Sequence, residues 1–231
     1  MLDIATNYTR VREHVATVAQ RCGRHPQEII IVCAAKTKGP EAVRTALAAG
    51  ATDIGENRVQ EAQQKIAAVS EPARWHLIGH LQRNKAKSAA RLFTLIPSLD
   101  SVVLAQELHR QGEKLGTVVR ALIEVNLGQE LTKSGIAEER VEDVLEAVVS
   151  LPCLRIEGLM TIPPPGADIE ASRPYFRALA RLRDAHARFR TANIDLRELS
   201  MGMSDDYPVA IEEGATIVRI GRAIFGERVN G

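Results

Sequence analysis

The feature that most constrains the fold of this chain is a regular alternation of short apolar runs with amphipathic helical segments. The runs have the length of buried strands, and the segments between them repeat apolar residues at helical spacing. The alternation predicts strands at Ile29–Ala35, Asp53–Glu56, Trp75–Gly79, Leu92–Ile96, Val118–Val125, Leu154–Ile162, Glu198–Met201 and Ile217–Ile220. Strand–helix units repeated in this way favour an α/β fold, a closed parallel (β/α)8 TIM barrel. A doubly wound open sheet is the alternative, but six strands and a glycine-rich first turn would be more usual there.

Helical segments link these strands, and one more precedes them. The linking helices are predicted at Glu41–Ala49, Val59–Val69, Asn84–Ala90, Val102–Leu115, Ala137–Ser150, Arg173–Phe189 and Asp206–Glu213. Before the first strand, residues 1–23 carry a loose apolar stripe that ends near Gly23, which predicts an extra N-terminal helix packed on the barrel. Because no linker or low-complexity tract interrupts the chain, we expect one domain over residues 1–231.

Charge and composition exclude several classes of partner. A net charge of +1 gives no electrostatic case for nucleic acid or an anionic membrane surface, and only 3% of residues are aromatic, too few for base stacking. No apolar stretch has the length of a membrane span, and no secretory leader is visible. The cysteines Cys22, Cys33 and Cys153 are odd in number and widely spaced, as expected for reduced thiols. The sequence therefore predicts a cytoplasmic protein.

Lys36 is the residue that most strongly suggests chemistry. It follows the apolar run of the first strand, and strand alternation places it on the same side as Ile30, Val32 and Ala34. An amine on a buried face is costly unless it is paired, deprotonated or covalently used, and such a lysine can form a Schiff base with an aldehyde. A strand-end lysine whose ammonium reaches solvent is the simpler alternative.

Two segments near the end of the chain are suited to bind an anion. Ser200–Ser204 contains glycine and serine before a helix, and Arg219–Arg222 contains Gly221 after the last strand. Glycine lets backbone amides approach an oxyanion, and serine adds a hydroxyl donor. TIM barrels commonly hold phosphate in the loops after the seventh and eighth strands. The alternative is that Ser204 or Asp205 only caps the following helix.

A lysine facing a phosphate site in one barrel suits pyridoxal 5'-phosphate (PLP). Its aldehyde would bond to Lys36, and its phosphate would occupy the two glycine-containing loops. Arg219 is expected to point inward, where it could stand near the pyridine nitrogen and keep that nitrogen unprotonated. This arrangement would weaken the ring as an electron sink.

Six motifs spread along the chain make the resemblance to one family specific. They are Ala35–Lys38, Ile54–Glu61, Trp75–Lys85, Gly158–Thr161, Leu199–Asp205 and Val218–Gly226. In this order they resemble the pyridoxal phosphate homeostasis protein family, also described as alanine-racemase N-terminal-domain-like. The resemblance covers the chain from Lys36 to Gly226, and the Trp75–Lys85 motif is the most specific part of it.

The resemblance implies a single barrel like the N-terminal domain of alanine racemase, with PLP held on Lys36. It implies a cytosolic protein without established turnover that serves vitamin B6 and amino-acid homeostasis. We expect the protein to be a monomer whose partners are PLP and PLP-dependent client enzymes. The cofactor-binding residues are expected to be Lys36, Asn57, His80, Ser200, Met201, Gly202, Ser204, Arg219 and Gly221.

Other candidate sites are weaker. His76, His80, Glu56 and Glu124 could suggest a metal, but no HxH or HExxH spacing joins them, so we expect no metal. The histidines fit better as hydrogen-bonded groups of the core. Lys133 matches a family position in the loop after the fifth strand, where it is either a solvated lysine or a participant in cofactor transfer.

Two functions from different classes remain open. The first is a carrier that holds PLP and exchanges it with client enzymes. The second is an enzyme of the amino-acid racemase type, which needs a second acid/base group, usually a tyrosine from a separate β domain. The tyrosines of this chain, Tyr8, Tyr175 and Tyr207, are not convincingly placed for that role. The sequence therefore favours the carrier, with no catalytic residue.

Overall fold

The predicted strands form one parallel sheet that closes into a barrel. The computed structural model describes residues 3–128, 130, 134–164 and 168–227. The strands are β1 (Ile30–Ala34), β2 (Asp53–Glu56), β3 (Arg74–Leu77), β4 (Ile96–Leu99), β5 (Val119–Glu124), β6 (Leu154–Met160), β7 (Ile194–Ser200) and β8 (Ile217–Ile220). They are hydrogen-bonded in the order β3-β2-β1-β8-β7-β6-β5-β4. A parallel bridge between His76 and Leu95 joins β3 to β4, so the two outer strands meet. The (β/α)8 TIM barrel is confirmed.

Helices follow the strands as the sequence predicts. They are α1 (Ile4–Arg21), α2 (Pro40–Ala48), α3 (Val59–Ala68), α4 (Ala86–Leu92), α5 (Val102–Leu115), α6 (Val141–Val149), α7 (Arg173–Ala185), α8 (Tyr207–Glu212) and α9 (Arg222–Phe225). The short α9 was not predicted, because four residues carry too little periodicity to be recognised. No helix in the described ranges combines the length and the apolar character that crossing a bilayer requires.

Two strands, β4 and β7, differ from their predicted bounds by more than two residues at one or both ends. The apolar run predicted at Leu92–Ile96 begins in the last residue of α4, and the β4–β5 pairing starts only at Ile96. Its register then shifts around Pro97, which has no amide hydrogen to donate. β7 begins at Ile194, four residues before the predicted Glu198. Apolar and charged residues alternate from Ile194 to Arg197, which is the pattern of a half-buried strand, so a signal for the earlier start was available and was missed.

The barrel has an inner and an outer apolar core. Side chains in the inner cluster include Val32, Leu122, Met160 and Ile217, with Ile30 packed against them. The larger outer cluster fills the layer between strands and helices, and it contains the neighbours of opposite parity on β1, Cys33 and Ala35. The alternation predicted for β1 is therefore present in the structure, and it directs Ala34 and Lys36 toward the mouth of the barrel.

The N-terminal helix α1 packs across the last helices of the barrel. Its apolar stripe is buried, and Asn7 Nδ2 donates to the carbonyl of Ile224 at 3.2 Å. The Tyr8 hydroxyl donates to the carbonyl of Gly50, also at 3.2 Å. His14 Nδ1 lies 2.5 Å from the hydroxyl of Tyr207 on α8. The extra N-terminal helix is confirmed, and it joins the two ends of the barrel sequence.

Candidate functional site

A pocket of about 550 Å³ opens where the strands end at their carboxyl termini. Parallel strands bring their C-terminal ends to one face, which is where barrels of this kind carry their sites. Five of the nine predicted site residues line this pocket: Lys36, Asn57, Ser204, Arg219 and Gly221. The other four, His80, Ser200, Met201 and Gly202, lie outside its lining and are described below.

The backbone around Lys36 is held in place by a buried ion pair. Lys65 on α3 donates to Glu56 Oε1 at 2.5 Å and to the carbonyl of Ala35 at 2.8 Å. Burial raises the pKa of Glu56, although the hydrogen bond from Lys65 acts in the opposite direction. Because Ala35 directly precedes Lys36, this pair fixes the end of β1 and therefore the direction in which Lys36 leaves the strand.

Sequence reasoning missed Lys65, although a signal was available. Lys65 lies three residues after Ala62 and six after Val59, on the buried face of α3, and it is only 7% exposed. A lysine at a buried helical position must find a counter-charge. Glu56, at the end of the preceding strand and also buried, would have been the first candidate.

The turn after Lys36 holds a backbone conformation that side chains rarely adopt. Thr37 has φ = 64°, and it is the one residue other than glycine with positive φ among those the structure describes. A β-branched residue in this region is strained. The turn closes with the amide of Lys38 donating to the carbonyl of Ala35 at 3.0 Å. Lys36 therefore lies between the end of β1, which is held by the hydrogen bond from Lys65 to Ala35, and a strained turn at Thr37.

Arg219 is a buried cation in the wall of the pocket. It is only 4% exposed, and two of its nitrogens donate to Ser200 Oγ at 2.6 Å and to the carbonyl of Thr161 at 2.9 Å. Burial lowers the pKa of Arg219 to about 10, while the negative charges of Glu124 and Asp206 act against that shift. An arginine at pKa 10 remains charged at neutral pH, so Arg219 contributes a buried positive charge to the pocket wall.

The segment after β7 supports the pocket from behind. Ser200 is buried, and its oxygen accepts from Arg219, while Met201 is fully buried in the outer core. Gly202 has φ = 90°, and a Cβ there would approach the Cβ of Ala210 to 2.5 Å, so only glycine fits this turn. These predicted residues shape the loop and hold Arg219.

Ser204 and Gly221 lie together at the pocket itself. Ser204 Oγ accepts from the amide of Ala223 at 3.2 Å, which ties the β7 loop to the start of α9. A Cβ on Gly221 would come within 3.3 Å of the carbonyl of Ala34, so the loop after β8 passes close to the end of β1. The two segments predicted to bind an anion therefore meet beside the strand that carries Lys36.

His80 follows β3 on this face of the barrel and is not part of the pocket lining. Its side chain is half exposed, and its Nδ1 is 3.0 Å from Asp100 Oδ2 at the end of β4. Asn57, by contrast, lines the pocket, and its backbone packs so closely on Gly79 that a Cβ there would approach the Asn57 carbonyl to 2.6 Å. Of the two, the structure brings only Asn57 to the group around Lys36.

Glu124 is a buried carboxylate on the same end of the barrel. It is 5% exposed, and its Oε2 has no hydrogen-bond partner among the described residues. Burial raises its pKa to about 7, despite the nearby charge of Arg219. The sequence had suggested Glu124 only as a metal ligand. Within the ranges that the structure describes, no group of three histidine, cysteine or acidic side chains could hold a metal ion.

The pocket combines the groups that an aldehyde bearing an anionic group requires. Lys36 supplies an amine, the loops around Ser204 and Gly221 supply a hydroxyl and close backbone, and Arg219 supplies a buried positive charge. The space that a Cβ at Gly221 would fill is kept open. These features fit PLP. Lys133, the other lysine considered for this cofactor, lies outside the described residues.

Comparison with known proteins identifies the family. The family model described as "Alanine racemase, N-terminal domain" matches residues 6–229. The pyridoxal phosphate homeostasis protein of Aquifex aeolicus is 45% identical over 95% of this chain and 96% of its own length. The protein of the same name from Pseudomonas aeruginosa is 42% identical over 100% of this chain and 98% of its own length.

The structure of PipY from Synechococcus elongatus with PLP bound superposes with a TM-score of 0.85 at 33% identity, covering 96% of this chain and 100% of that one. This chain therefore belongs to the pyridoxal phosphate homeostasis protein family, built on the fold of the alanine racemase N-terminal domain.

Proposed function

We propose that this protein binds PLP as a Schiff base on Lys36 and acts as a carrier in vitamin B6 and amino-acid homeostasis, exchanging the cofactor with PLP-dependent client enzymes. The observation that carries the proposal is the meeting of Lys36, the Ser204 and Gly221 loops and Arg219 in one pocket. The related PipY with PLP bound and the relatives named for PLP homeostasis support it.

Each residue has a separate role in this proposal. Lys36 supplies the amine, and Ser204 with the backbone at Gly221 binds the phosphate. Arg219, kept charged and held by Ser200, faces the ring nitrogen without delivering a proton to it. Met201 and Gly202 hold the loop that carries Ser204, and Asn57 and His80 bound the same face of the barrel.

The placement of the tyrosines favours a carrier over the racemase-type alternative. When bound, PLP makes the α-proton of an amino acid acidic, and inversion then needs a base on one face and an acid on the other. Lys36 can serve one face. The hydroxyls of Tyr8 and Tyr207 bond to Gly50 and His14 in the α1 interface, and Tyr175 lies on α7. None of the three lines the pocket around Lys36.

The proposal is tested by trapping the cofactor. The purified protein, loaded with PLP, should absorb visible light, and borohydride reduction followed by peptide mapping should place the label on Lys36. Lys36→Ala should lose the absorbance and keep the fold, because its side chain is half-buried at a strand end. Lys38→Ala is the matched control, since Lys38 lines the same pocket and donates to the Glu227 carbonyl at 3.2 Å. Label found chiefly on Lys38 or Lys133 would overturn the assignment.

The phosphate role is tested by comparing two vitamers. Ser204→Ala and Gly221→Val should weaken PLP binding much more than pyridoxal binding, because pyridoxal lacks the phosphate. Equal losses for both vitamers would show that the anchoring loops have been misassigned.

The carrier role is tested by looking for turnover. The PLP-loaded protein, incubated with single enantiomers of common amino acids in deuterated water, should show at most slow exchange at the α-carbon. Rapid inversion that is lost in Lys36→Ala would establish the racemase alternative.

The proposal also includes the setting of the protein. We place it in the cytoplasm as a monomer that acts as one domain over residues 1–231. All three cysteines lie in the described ranges and are free thiols, which suits a reducing compartment. Light scattering at several concentrations tests the monomer, and a mass that doubles with concentration would contradict it.

A further inference from the structure

Glu124 is a sealed carboxylate at the functional end of the barrel, and the proposed function gives it no role. Alternation along β5 places it on the inner side with Leu122. The strand end is covered by the returning loop, where the amide of Ile136 donates to the Glu124 carbonyl at 2.8 Å. Gly135 has φ = 109°, and a Cβ there would approach Glu124 Cγ to 3.2 Å. The side chain is therefore enclosed, with Oε2 left without a hydrogen-bond partner in the described part of the chain.

The charged groups that act on Glu124 come from both sides of the barrel. Arg219 on β8 favours the ionised carboxylate, and Asp100 at the end of β4 opposes it. Asp100 is itself paired with His80. On β6, the strand paired to this end of β5, the partner of Glu124 is the apolar Met160. Burial outweighs the charge of Arg219, and the pKa of Glu124 rises to about 7.

Arg219 connects this enclosed carboxylate to the pocket. Arg219 lines the pocket, and its two donated hydrogen bonds end on neutral oxygens of Ser200 and Thr161. Its charge is therefore shared electrostatically between Glu124 inside the barrel and any anion in the pocket. An ionised Glu124 offsets part of the field that an incoming anion would otherwise experience, and a protonated Glu124 does not.

We propose that Glu124 is a proton-linked positioning residue, so that the pocket takes up a proton from solvent onto Glu124 when it binds an anionic, phosphate-bearing ligand. No covalent bond to Glu124 forms or breaks; one proton moves from water to the carboxylate as the ligand enters. Because linkage is reciprocal, deprotonation of Glu124 weakens ligand binding by the same factor by which the bound ligand strengthens proton binding to Glu124. The identity of the ligand as PLP rests on the proposed function.

The affinity for PLP should depend on pH, and Glu124 should account for part of that dependence. As the pH rises through about 7, the affinity for PLP should fall further, or rise less, in wild type than in Glu124→Gln, because the ionisation of Lys36 is common to both proteins. The ratio of the dissociation constants at pH 8.5 and pH 6 should be about tenfold larger in wild type than in Glu124→Gln. The ionisations of PLP itself are common to both proteins and cancel in this comparison. Glu139→Gln, which removes one exposed carboxylate, is the matched control and should behave as wild type.

A second measurement on the protein without PLP keeps the inference testable if Glu124→Gln does not fold. Carboxyl ¹³C NMR of glutamate-labelled wild-type protein should show one carboxylate titrating near pH 7, and saturating inorganic phosphate should move its midpoint to higher pH. A midpoint that phosphate does not move, or equal pH dependence in wild type and Glu124→Gln, would overturn the inference. The proposed function would survive either result, since its failure appears instead as PLP that does not label Lys36.

Discussion

Asp53 at one end of the barrel and Arg219 with Glu124 at the other differ in how their buried charge is paired. Near the strand N termini, Asp53 accepts from Arg74 at 2.6 and 2.8 Å and lies 2.8 Å from His76 Nε2. At the C-terminal end, Arg219 is buried without a carboxylate within 4 Å among the described residues, and Glu124 keeps an oxygen without a partner. The C-terminal mouth also contains the neutralised Lys65–Glu56 pair, so the difference between the two mouths lies in Arg219 and Glu124, which keep buried charge or polar atoms without a paired partner in the described ranges.

This difference in pairing predicts which substitutions change the stability of the protein and which change its affinity for a ligand. A buried pair with good geometry holds its end of the barrel together, and removing one partner leaves a costly unpaired charge. Charge that is buried without a partner costs free energy in the protein alone, and it can be compensated when a ligand of opposite charge arrives. We therefore expect substitution of Asp53 at the N-terminal mouth to change mainly the free energy of unfolding, and substitution of Arg219 at the C-terminal mouth to change mainly the affinity for PLP.

The largest effect should come from Asp53. Burial acts to raise its pKa, but hydrogen bonds from His76, Arg74 and Thr52 outweigh burial and hold the pKa well below its usual range. Asp53→Asn should lower the free energy of unfolding by about 3–5 kcal/mol at neutral pH and leave PLP affinity unchanged. Because a lowered carboxyl pKa stabilises above the unfolded pKa, this loss should shrink as the pH falls below about 4.

Arg219→Met is the counterpart of Asp53→Asn at the other mouth. It removes an uncompensated buried charge, so urea unfolding should place its stability within about 1 kcal/mol of wild type. PLP binding should weaken strongly. If Arg219→Met destabilises as much as Asp53→Asn, the distinction between the two ends is wrong.

The next effect is on the pH dependence of the free energy of unfolding. At Glu124 this dependence has the opposite sign to the one at Asp53. The pKa of Glu124 is raised from 4.5 to about 7, so the stabilisation is complete below pH 4.5 and is lost as the pH rises through 7. Urea unfolding of the protein without PLP should show a loss on the order of 2–3 kcal/mol over this range. Glu124→Gln should flatten that slope, whereas Asp53→Asn should leave it in place.

A smaller effect is expected at Ser200. Ser200→Ala removes the 2.6 Å hydrogen bond from Arg219 and should lower the free energy of unfolding by about 1–2 kcal/mol. Ser98→Ala is the matched control, because Ser98 is equally buried but donates at 3.4 Å to the Leu77 carbonyl; its loss should be below about 1 kcal/mol. PLP affinity should fall only in Ser200→Ala. Equal binding losses in both variants would mean that Ser200 does not position Arg219.

The smallest effect concerns strain beside Lys36. Thr37→Gly relieves a positive φ, and the unfolded chain gains freedom in return, so stability should rise by about 0.5 kcal/mol. Thr45→Gly, in the middle of α2, should instead lower stability by a similar amount. Thermal unfolding of the two variants measures both changes in stability. A lower stability of Thr37→Gly than of wild type would show that Thr37 is not strained.

Much of the fold follows from patterns that the sequence displays directly. Strand–helix alternation predicts the barrel because parallel strands need helical crossovers, and period-two alternation places Lys36 at the open mouth. Lys36, Ser204 and Gly221 share one pocket because all three follow strand ends. This argument depends only on topology, so it holds without knowledge of side-chain packing.

The details that sequence could not supply depend on contacts between distant segments. The assignment of Ser200 to the cofactor stays a prediction, and the sequence did not indicate that its hydroxyl accepts a hydrogen bond from Arg219 on the neighbouring strand. The contact of His80 with Asp100 depends on where β4 ends, and the register of that strand shifts between Ile96 and Leu99. Glu124 becomes notable only once Gly135 is known to close over it. Each of these contacts depends on how neighbouring strands and loops are placed relative to one another. The periodicity of residues along one strand gives no information on that placement.

The packing of α1 has a consequence for biosynthesis. Asn7 bonds to Ile224, so contacts of the first helix are made with residues translated more than two hundred positions later. During synthesis α1 can pack early against α2, but the part of its apolar stripe that packs on α8 and α9 stays uncovered until those helices have emerged from the ribosome. Until then, that part of the stripe is an apolar surface to which a chaperone can bind.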